Sequence, residues 1–416
     1  MSILLPYGKR FIEIKQQKNI TVFEPHFAKP LKNPSEKIKQ SLKKPYGCPC
    51  LAEIVKRRKP RSVCIVISDH TRAVPSKIIL NEIIKELINS GINKKGIFIL
   101  IGNGTHRPTT EMEKLELVGK EILKDFFVFD HKATDSSMLI NLENTDFYVN
   151  KRYLEADLKI VTGMIEPHFF AGFSGGRKGV CPGIAGMESI KIFHGFKFLE
   201  SPYTKPGNLQ NNPCHIFATE FAKKAGVDFL VNVTINKNKE ITGVFSGEIE
   251  KAFFKGVDFC KKTSTCYTEK KYPVVITTNG GYPLDIDFYQ SVKGMVTALE
   301  IVENNGIIIC VSECREGIGS KDFKRILLEM NTPEQFIKKI KQPGCFLDVQ
   351  WGVQPLVHVL RKAKIFLVSG LSKKDAQLCR CIKFSSINQA LLEAYRQHGK
   401  NVEVAVIPEG PYTLFE

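Results

Sequence analysis

Residues 62–102 read SVCIVISDHTRAVPSKIILNEIIKELINSGINKKGIFILIG. The stretch opens on an apolar run, SVCIVI (62–67), passes through SDHTRAVP (68–75), and continues as an amphipathic helical pattern, SKIILNEIIKELINSG (76–91). A second apolar run, GIFILIG (96–102), follows. Continuous apolar strands, each followed by an amphipathic helix, predict a parallel sheet covered on both faces. In such sheets ligands bind beyond the carboxyl ends of the strands. Asp69, His70, Thr71 and Arg72 stand at such an end.

The alternation continues outward. TTEMEKLELVG (109–119) reads as a helix, and FFVFD (126–130) and LKIVTGMI (158–165) as strands. Near 262–272 the polar, aperiodic KTSTCYTEKKY interrupts the pattern. A second series then begins with PVVITT (273–278) and runs through GIIICVS (306–312), KIFLVSG (364–370) and VEVAVIPEG (402–410). The expected fold class is α/β with two domains, each built on a mainly parallel, helix-covered sheet. The expected division is 1–265 for the first domain and 272–416 for the second, with the last residues packing back onto the first. A chain of 416 residues favours two domains on length alone.

Composition narrows the function classes. Hydrophobic residues make up 43% and charged residues 25%, as in ordinary globular proteins. No apolar run reaches the roughly 18 residues of a membrane span, and MSILLPYGKRFIEI at the N-terminus is not a secretion signal. A cytoplasmic protein with no membrane partner is expected. The 12 cysteines show no framework spacing, so reduced thiols are expected. CPC (48–50), CREGIGS (from Cys314) and CRC (379–381) lack CxxC spacing, which argues against a cysteine metal site. The net charge is +17, spread through both halves apart from KRRKPR (56–61). That reads first as a solvated basic face whose field draws in small anionic substrates, ahead of a nucleic-acid surface.

Polar chemistry gathers at the strand ends. After SVCIVI comes SDHTR, after GIFILIG comes NGTHRP (103–108), after LKIVTGMI comes EPHFFAGFSGGRKG (166–179), and after PVVITT comes NGGYPLD (279–285). Three of nine histidines, His70, His106 and His168, fall there. In FSGGRKG, Gly175 and Gly176 allow close backbone approach and can cradle an anion, with Arg177 and Lys178 adding charge. The loop is neither a Walker A motif nor a GxGxxG fingerprint. His194 lies sixteen residues beyond Lys178, roughly 24 Å along a straight helix. CPGIAG (181–186) breaks any such helix and lets the two face one another across a turn. In DFYQSVKG (287–294), Gln290 and Lys293 share a helix face and suit a carboxylate ligand.

Taken together, SDHTRAVP, GNGTHRP, GMIEPHFFAGFSGGRKGVCPGIAG with His194 following, and YPLDIDFYQSVKGM resemble the nickel-dependent lactate racemase family, from about residue 5 to 410. The resemblance implies an active site in the cleft between two α/β domains. It also implies a nickel-pincer nucleotide, the pyridinium-3-thioamide-5-thiocarboxylic acid mononucleotide with nickel, attached at Lys178 and missing from an apo preparation. Matched position by position, His194 resembles the nickel ligand, and His106 and His168 the paired acid/bases. Asp69 and Arg72 resemble residues beside cofactor and substrate, with Gly175 and Gly176 in the attachment loop. Gln290 and Lys293 resemble the substrate-side pair, which Arg72 and Trp351 (in DVQWGVQ) join. The implied activity is racemisation or epimerisation of a 2-hydroxy acid by hydride abstraction and return. The implied partners are that acid and the enzymes that assemble the cofactor. Two other classes stay open on residues alone. One is a metal-dependent hydrolase with His70, His106 and His168 as ligands, and the other is a basic nucleic-acid-binding module.

Overall fold

A computed structural model describes residues 2–143 and 145–416. The chain forms two compact units. One comprises Phe27–Glu166 and Ala171–Thr263, and the other Met1–His26, Pro167–Phe170 and Ser264–Glu416. They are called here the N-terminal and C-terminal units.

The N-terminal unit is built on a six-stranded sheet. Its order is Ile241–Gly247, Phe229–Ile235, Leu158–Met164, Val63–Ser68, Ile97–Gly102, Phe127–Asp130. Only the first pair is antiparallel; the others are parallel. Val63, Cys64, Ile65 and Val66 are fully buried, as expected of a central strand covered on both faces. The helix Ser76–Asn89 lays Ile79, Leu80, Ile83 and Leu87 into the same core. Burying each such side chain contributes about 1.5–3 kcal/mol.

The spatial order matters more for function than the sequence order. Val63–Ser68 lies between Leu158–Met164 and Ile97–Gly102. The parallel registers Ser68↔Gly102 and Val66↔Val161 align the carboxyl ends of all three. The loops carrying Asp69, His106 and the segment leading to Lys178 therefore leave one edge side by side.

The C-terminal unit has a second six-stranded sheet, all parallel, in the order Ile382–Phe384, Ala363–Val368, Val302–Val311, Tyr272–Thr278, Val404–Ile407, Ile20–Val22. Its edge strand comes from the start of the chain. Where the sequence placed residues 1–26 in the first domain, they cluster with the second. Ile20–Val22 is three residues long, too short to carry a readable period, and Val404–Ile407 supplies its hydrogen-bonding partner. The hairpin of Ser2–Tyr7 and Arg10–Lys15 is held by its Gly8 turn, whose N–H donates to Asp285 Oδ2 at 2.6 Å. The polar stretch at 262–272 contains the junction at Thr263/Ser264, and Thr265–Cys266 pairs with Leu414–Phe415 near the chain's end. Among the described residues no helix is long and apolar enough to cross a membrane, and all twelve cysteines are free.

Candidate active site

Asp69 leaves the central strand of the N-terminal unit and is 3% exposed. Its Oδ2 lies 2.6 Å from His106 Nδ1, and its Oδ1 accepts the Thr71 hydroxyl at 2.8 Å. Burial by itself would raise the Asp69 pKa. The His106 hydrogen bond and charge, the Arg72 guanidinium and the Thr71 hydroxyl outweigh it, and the net shift is downward. An ionised carboxylate only accepts, so the shared proton sits on His106 Nδ1. The loop behind His106 is fixed by Asn103. Its carbonyl accepts the His106 N–H at 2.9 Å, and its side-chain amide reaches Asp130 Oδ1 at 3.1 Å.

His70 does not join this pair. Its Nε2 lies 3.4 Å from Glu113 Oε1 and 3.5 Å from an Arg107 nitrogen. Glu113 caps its own helix in a reciprocal box with Thr110. The hydrogen bonds from Arg107 lead in lowering the Glu113 carboxyl to about 2. His70 thus serves the seam between two loops. Among the described residues, no group of three or more His, Cys, Asp or Glu side chains converges as a metal site.

The turn before Lys178 requires glycine. Gly175 has φ 79° and ψ −175°, a region open essentially to glycine alone. A Cβ there would sit 2.8 Å from Asn232 Oδ1 and 2.9 Å from the Met164 carbonyl oxygen. Gly176 has φ +54°, and a Cβ on it would meet Phe253 at 2.9 Å. Asn232, fully buried in the strand Phe229–Ile235, accepts the Gly176 N–H at 3.3 Å. Lys178 follows in the short helical turn Gly176–Gly179, and its carbonyl accepts the Gly183 N–H at 3.2 Å. The Gly183 carbonyl in turn accepts the Gly104 N–H at 2.9 Å, tying the Lys178 loop to the His106 loop.

Arg177 departs from the sequence reading. It is 2% exposed, donates to the Ala171 carbonyl at 2.8 Å, and lies over the Phe253 ring at 4.3 Å. It fastens the turn and adds no exposed charge to an anion cradle. Burial lowers its pKa to about 9.

His194 ends the helix Met187–Phe193. Burial, and then the charges of Lys178 and His106, push its pKa well below the ordinary imidazole value. The ring is neutral, and the same couplings place Lys178 and His106 in its electrostatic neighbourhood.

The remaining residues lie in the C-terminal unit. His168, in Pro167–Phe170, stacks on Phe169 with centroids 4.9 Å apart and meets Phe170 edge-on at 4.4 Å. Its Nδ1 accepts the Phe170 N–H at 3.4 Å. Gln290 and Lys293 sit on the helix Phe288–Leu299, and Lys293 Nζ donates to Gln290 Oε1 at 2.5 Å. Trp351 is 6% exposed and donates from Nε1 to the Tyr289 hydroxyl at 3.0 Å. Lys9 and Arg315 lie over the Tyr282 ring at 4.9 and 4.5 Å.

Sequence reasoning missed Asn232 and the support role of Arg177. A lone Asn in the apolar strand FLVNVTI was a usable signal for the first. The fastening by Arg177 depends on the Phe253 ring, far away in the chain, and left none.

Comparison with known proteins gives a consistent result. A family model described as the lactate racemase N-terminal domain matches residues 7–207, and one described as the lactate racemase C-terminal domain matches residues 267–413. The lactate racemase of Thermoanaerobacterium thermosaccharolyticum is 34% identical over 424 residues, spanning 98% of each chain. That of Lactiplantibacillus plantarum is 35% identical over 382 residues, 90% of this chain and 89% of the other. The solved structure of the T. thermosaccharolyticum lactate racemase apoprotein superposes with a TM-score of 0.93 at 32% identity, over the whole of both chains. A crystal structure of a protein from Thermotoga maritima shares the fold, with a TM-score of 0.68 at 18% identity, covering 94% of this chain and 99% of that one.

Proposed function

The chain belongs to the lactate racemase family, and on that premise we propose that it interconverts the two enantiomers of lactate or a closely related 2-hydroxy acid. Its class is isomerase. The observation that carries the reading is the Asp69–His106 pair beside a glycine-forced lysine turn and a neutral histidine.

The residues present fit a nickel-pincer nucleotide. A metal ligand must be deprotonated, and the protein keeps His194 neutral. Lys178 stands on a turn whose backbone at 175 is open to glycine alone and where a Cβ at 176 would crowd Phe253. Lys178 and His194 would hold the group, with Asp69, Arg72, Gly175 and Gly176 around it. When bound, the group supplies a hydride acceptor, which removes the need to ionise a very weakly acidic C2–H.

The chain's own residues then manage the carboxylate and the hydroxyl proton. Arg72, Gln290 and Lys293 anchor the carboxylate through charge-assisted hydrogen bonds, with Trp351 bordering the substrate. His106 Nε2 takes the hydroxyl proton of one enantiomer, and Asp69 stabilises the resulting imidazolium. His168, as imidazolium, donates a proton to the carbonyl oxygen when the other hand is formed and is left neutral; in the reverse direction the two rings exchange roles. Two histidines are needed because the enantiomers direct their hydroxyls differently from one anchored carboxylate. This division of labour assigns one histidine to each hand of the substrate.

The partners implied are the hydroxy acid and the cofactor-assembly enzymes, with the protein working in the cytoplasm. Neither a nucleic acid nor a membrane enters this reading. The test is co-expression with the assembly enzymes, followed by intact mass and loss of optical rotation of L-lactate. A mononucleotide-sized adduct at Lys178 and racemisation, both lost in Lys178→Ala, are expected. Racemisation surviving in Lys178→Ala would overturn the reading.

A further inference from the structure

Asp287 precedes the helix that carries Gln290 and Lys293, and no role has yet fallen to it. It is the N-cap of Phe288–Leu299. Its Oδ1 accepts the Gln290 N–H at 2.7 Å, and its carbonyl accepts the Ser291 hydroxyl at 2.8 Å. Lys293 Nζ donates to Gln290 Oε1 at 2.5 Å. The neighbouring loop holds the cap in place. The Phe288 N–H donates to the Gly317 carbonyl and the Tyr289 N–H to the Ile318 carbonyl, each at 3.0 Å. Asp287 thus holds the Gln290 main chain, and Lys293 the Gln290 side chain.

We propose that Asp287 is a positioning residue for the Gln290–Lys293 pair, and that its negative charge opposes the seating of a substrate carboxylate on Lys293. A 2-hydroxy acid then binds best when Asp287 is protonated. The inference rests on Gln290 and Lys293 being the substrate-side pair.

The surroundings make that protonation accessible near neutrality. Burial pushes the Asp287 carboxyl up to about 6, against the lowering effects of the Gln290 N–H and Lys293, and Glu316 adds a like charge that pushes the same way. The titratable groups acting on Asp287 are Lys293 from its own helix, and Glu316 and Cys314 from the loop after Val302–Val311. Burial raises the Cys314 thiol to about 11, so it stays neutral and Glu316 is the relevant like charge. An arriving carboxylate is a second negative charge. It raises proton affinity at Asp287, and binding takes up a proton over the range where Asp287 is otherwise ionised. The substrate is ionised throughout this range and contributes no titration of its own.

The test compares wild-type holoenzyme with Asp287→Asn, using lactate as the probe. Asparagine is as good an N-cap as aspartate, so the helix start survives while the charge is removed. The ratio of wild-type KM to variant KM should lie near one at about pH 5 and rise to roughly five- to tenfold at about pH 7.5. Catalytic groups shared by both proteins cancel in that ratio, and the effect falls on KM, not kcat. Calorimetric titration with lactate in two buffers at about pH 6.5 should register proton uptake in the wild type and none in the variant. A ratio independent of pH, or an effect confined to kcat, overturns the inference. Lys293→Ala separates the two levels. If it leaves KM unchanged, the substrate-side assignment itself is wrong. If it raises KM while the Asp287→Asn ratio stays flat, only the present inference fails. Asp287→Ala, which also loses the cap, should lower thermal stability and raise KM at every pH, so a purely structural role is distinguishable.

Discussion

Asp69→Asn isolates what the carboxylate does for His106. The substitution keeps shape and changes charge. The amide oxygen can still accept the His106 Nδ1 proton across the 2.6 Å contact, and the amide NH2 can donate to the Thr71 hydroxyl, which can rotate to accept. Ground-state geometry survives, and the attraction between a carboxylate and the imidazolium formed when His106 takes the substrate proton is lost. With charge centres about 5 Å apart and an effective dielectric near 20, that attraction is worth roughly 3 kcal/mol. In rate terms this is roughly two hundredfold. The His106 side chain is 35% exposed, and water screens part of the interaction, which sets a lower bound of about tenfold. Racemisation has an equilibrium constant of one, so kcat/KM must fall equally from either enantiomer even though His106 serves one hand. Polarimetry or chiral chromatography on holoenzyme from both directions measures it, with cofactor loading checked by intact mass. A variant loaded like the wild type and racemising within threefold of it would refute the reasoning. So would a loss that follows cofactor occupancy alone.

Further tests address the turn, the acid limb and the cap. Gly175→Ala forces a Cβ to within 2.9 Å of the Met164 carbonyl oxygen at a backbone angle open to glycine alone. It should cost about 2–4 kcal/mol in urea unfolding and reduce adduct formation at Lys178; unchanged stability and loading would contradict it. His131 is buried, receives the Asn150 amide on Nδ1 and sits 2.9 Å from the Ala185 carbonyl through Nε2, and burial holds its pKa down to about 4. Its folded value is below the unfolded one, so its contribution is present above about pH 6.5 and is lost as pH falls through about 4, up to about 3 kcal/mol. His131→Gln should flatten the pH dependence of unfolding free energy across that window. Asp287 has the opposite sign, because its carboxyl is raised to about 6. Ionisation opposes folding, the penalty grows from about pH 4 to 6 and persists above, and Asp287→Asn should therefore stabilise at about pH 8 by up to roughly 3 kcal/mol and not at about pH 4. Fluorescence of Trp351, the chain's single tryptophan, reports unfolding of the C-terminal unit directly.

Much of this molecule was written in its local patterns. Apolar runs such as 62–67 and 96–102 could only be strands buried on both faces, and their helical intervals implied parallel sheets. The residues at the strand ends also carried the family resemblance. Local pattern could not show that Val63–Ser68 lies between Leu158–Met164 and Ile97–Gly102, because strand order is set by long-range pairing. That order puts Asp69 against His106 and ties Gly104 to Gly183, fixing the His106 Nδ1 proton and the Lys178 turn. Nor could it assign residues 1–26, whose three-residue strand exists only because Val404–Ile407 offers it hydrogen bonds. Chemical identity is a property of the residue and survives in the sequence. Protonation state, burial and partner are properties of surroundings assembled from distant segments, and folding alone decides them.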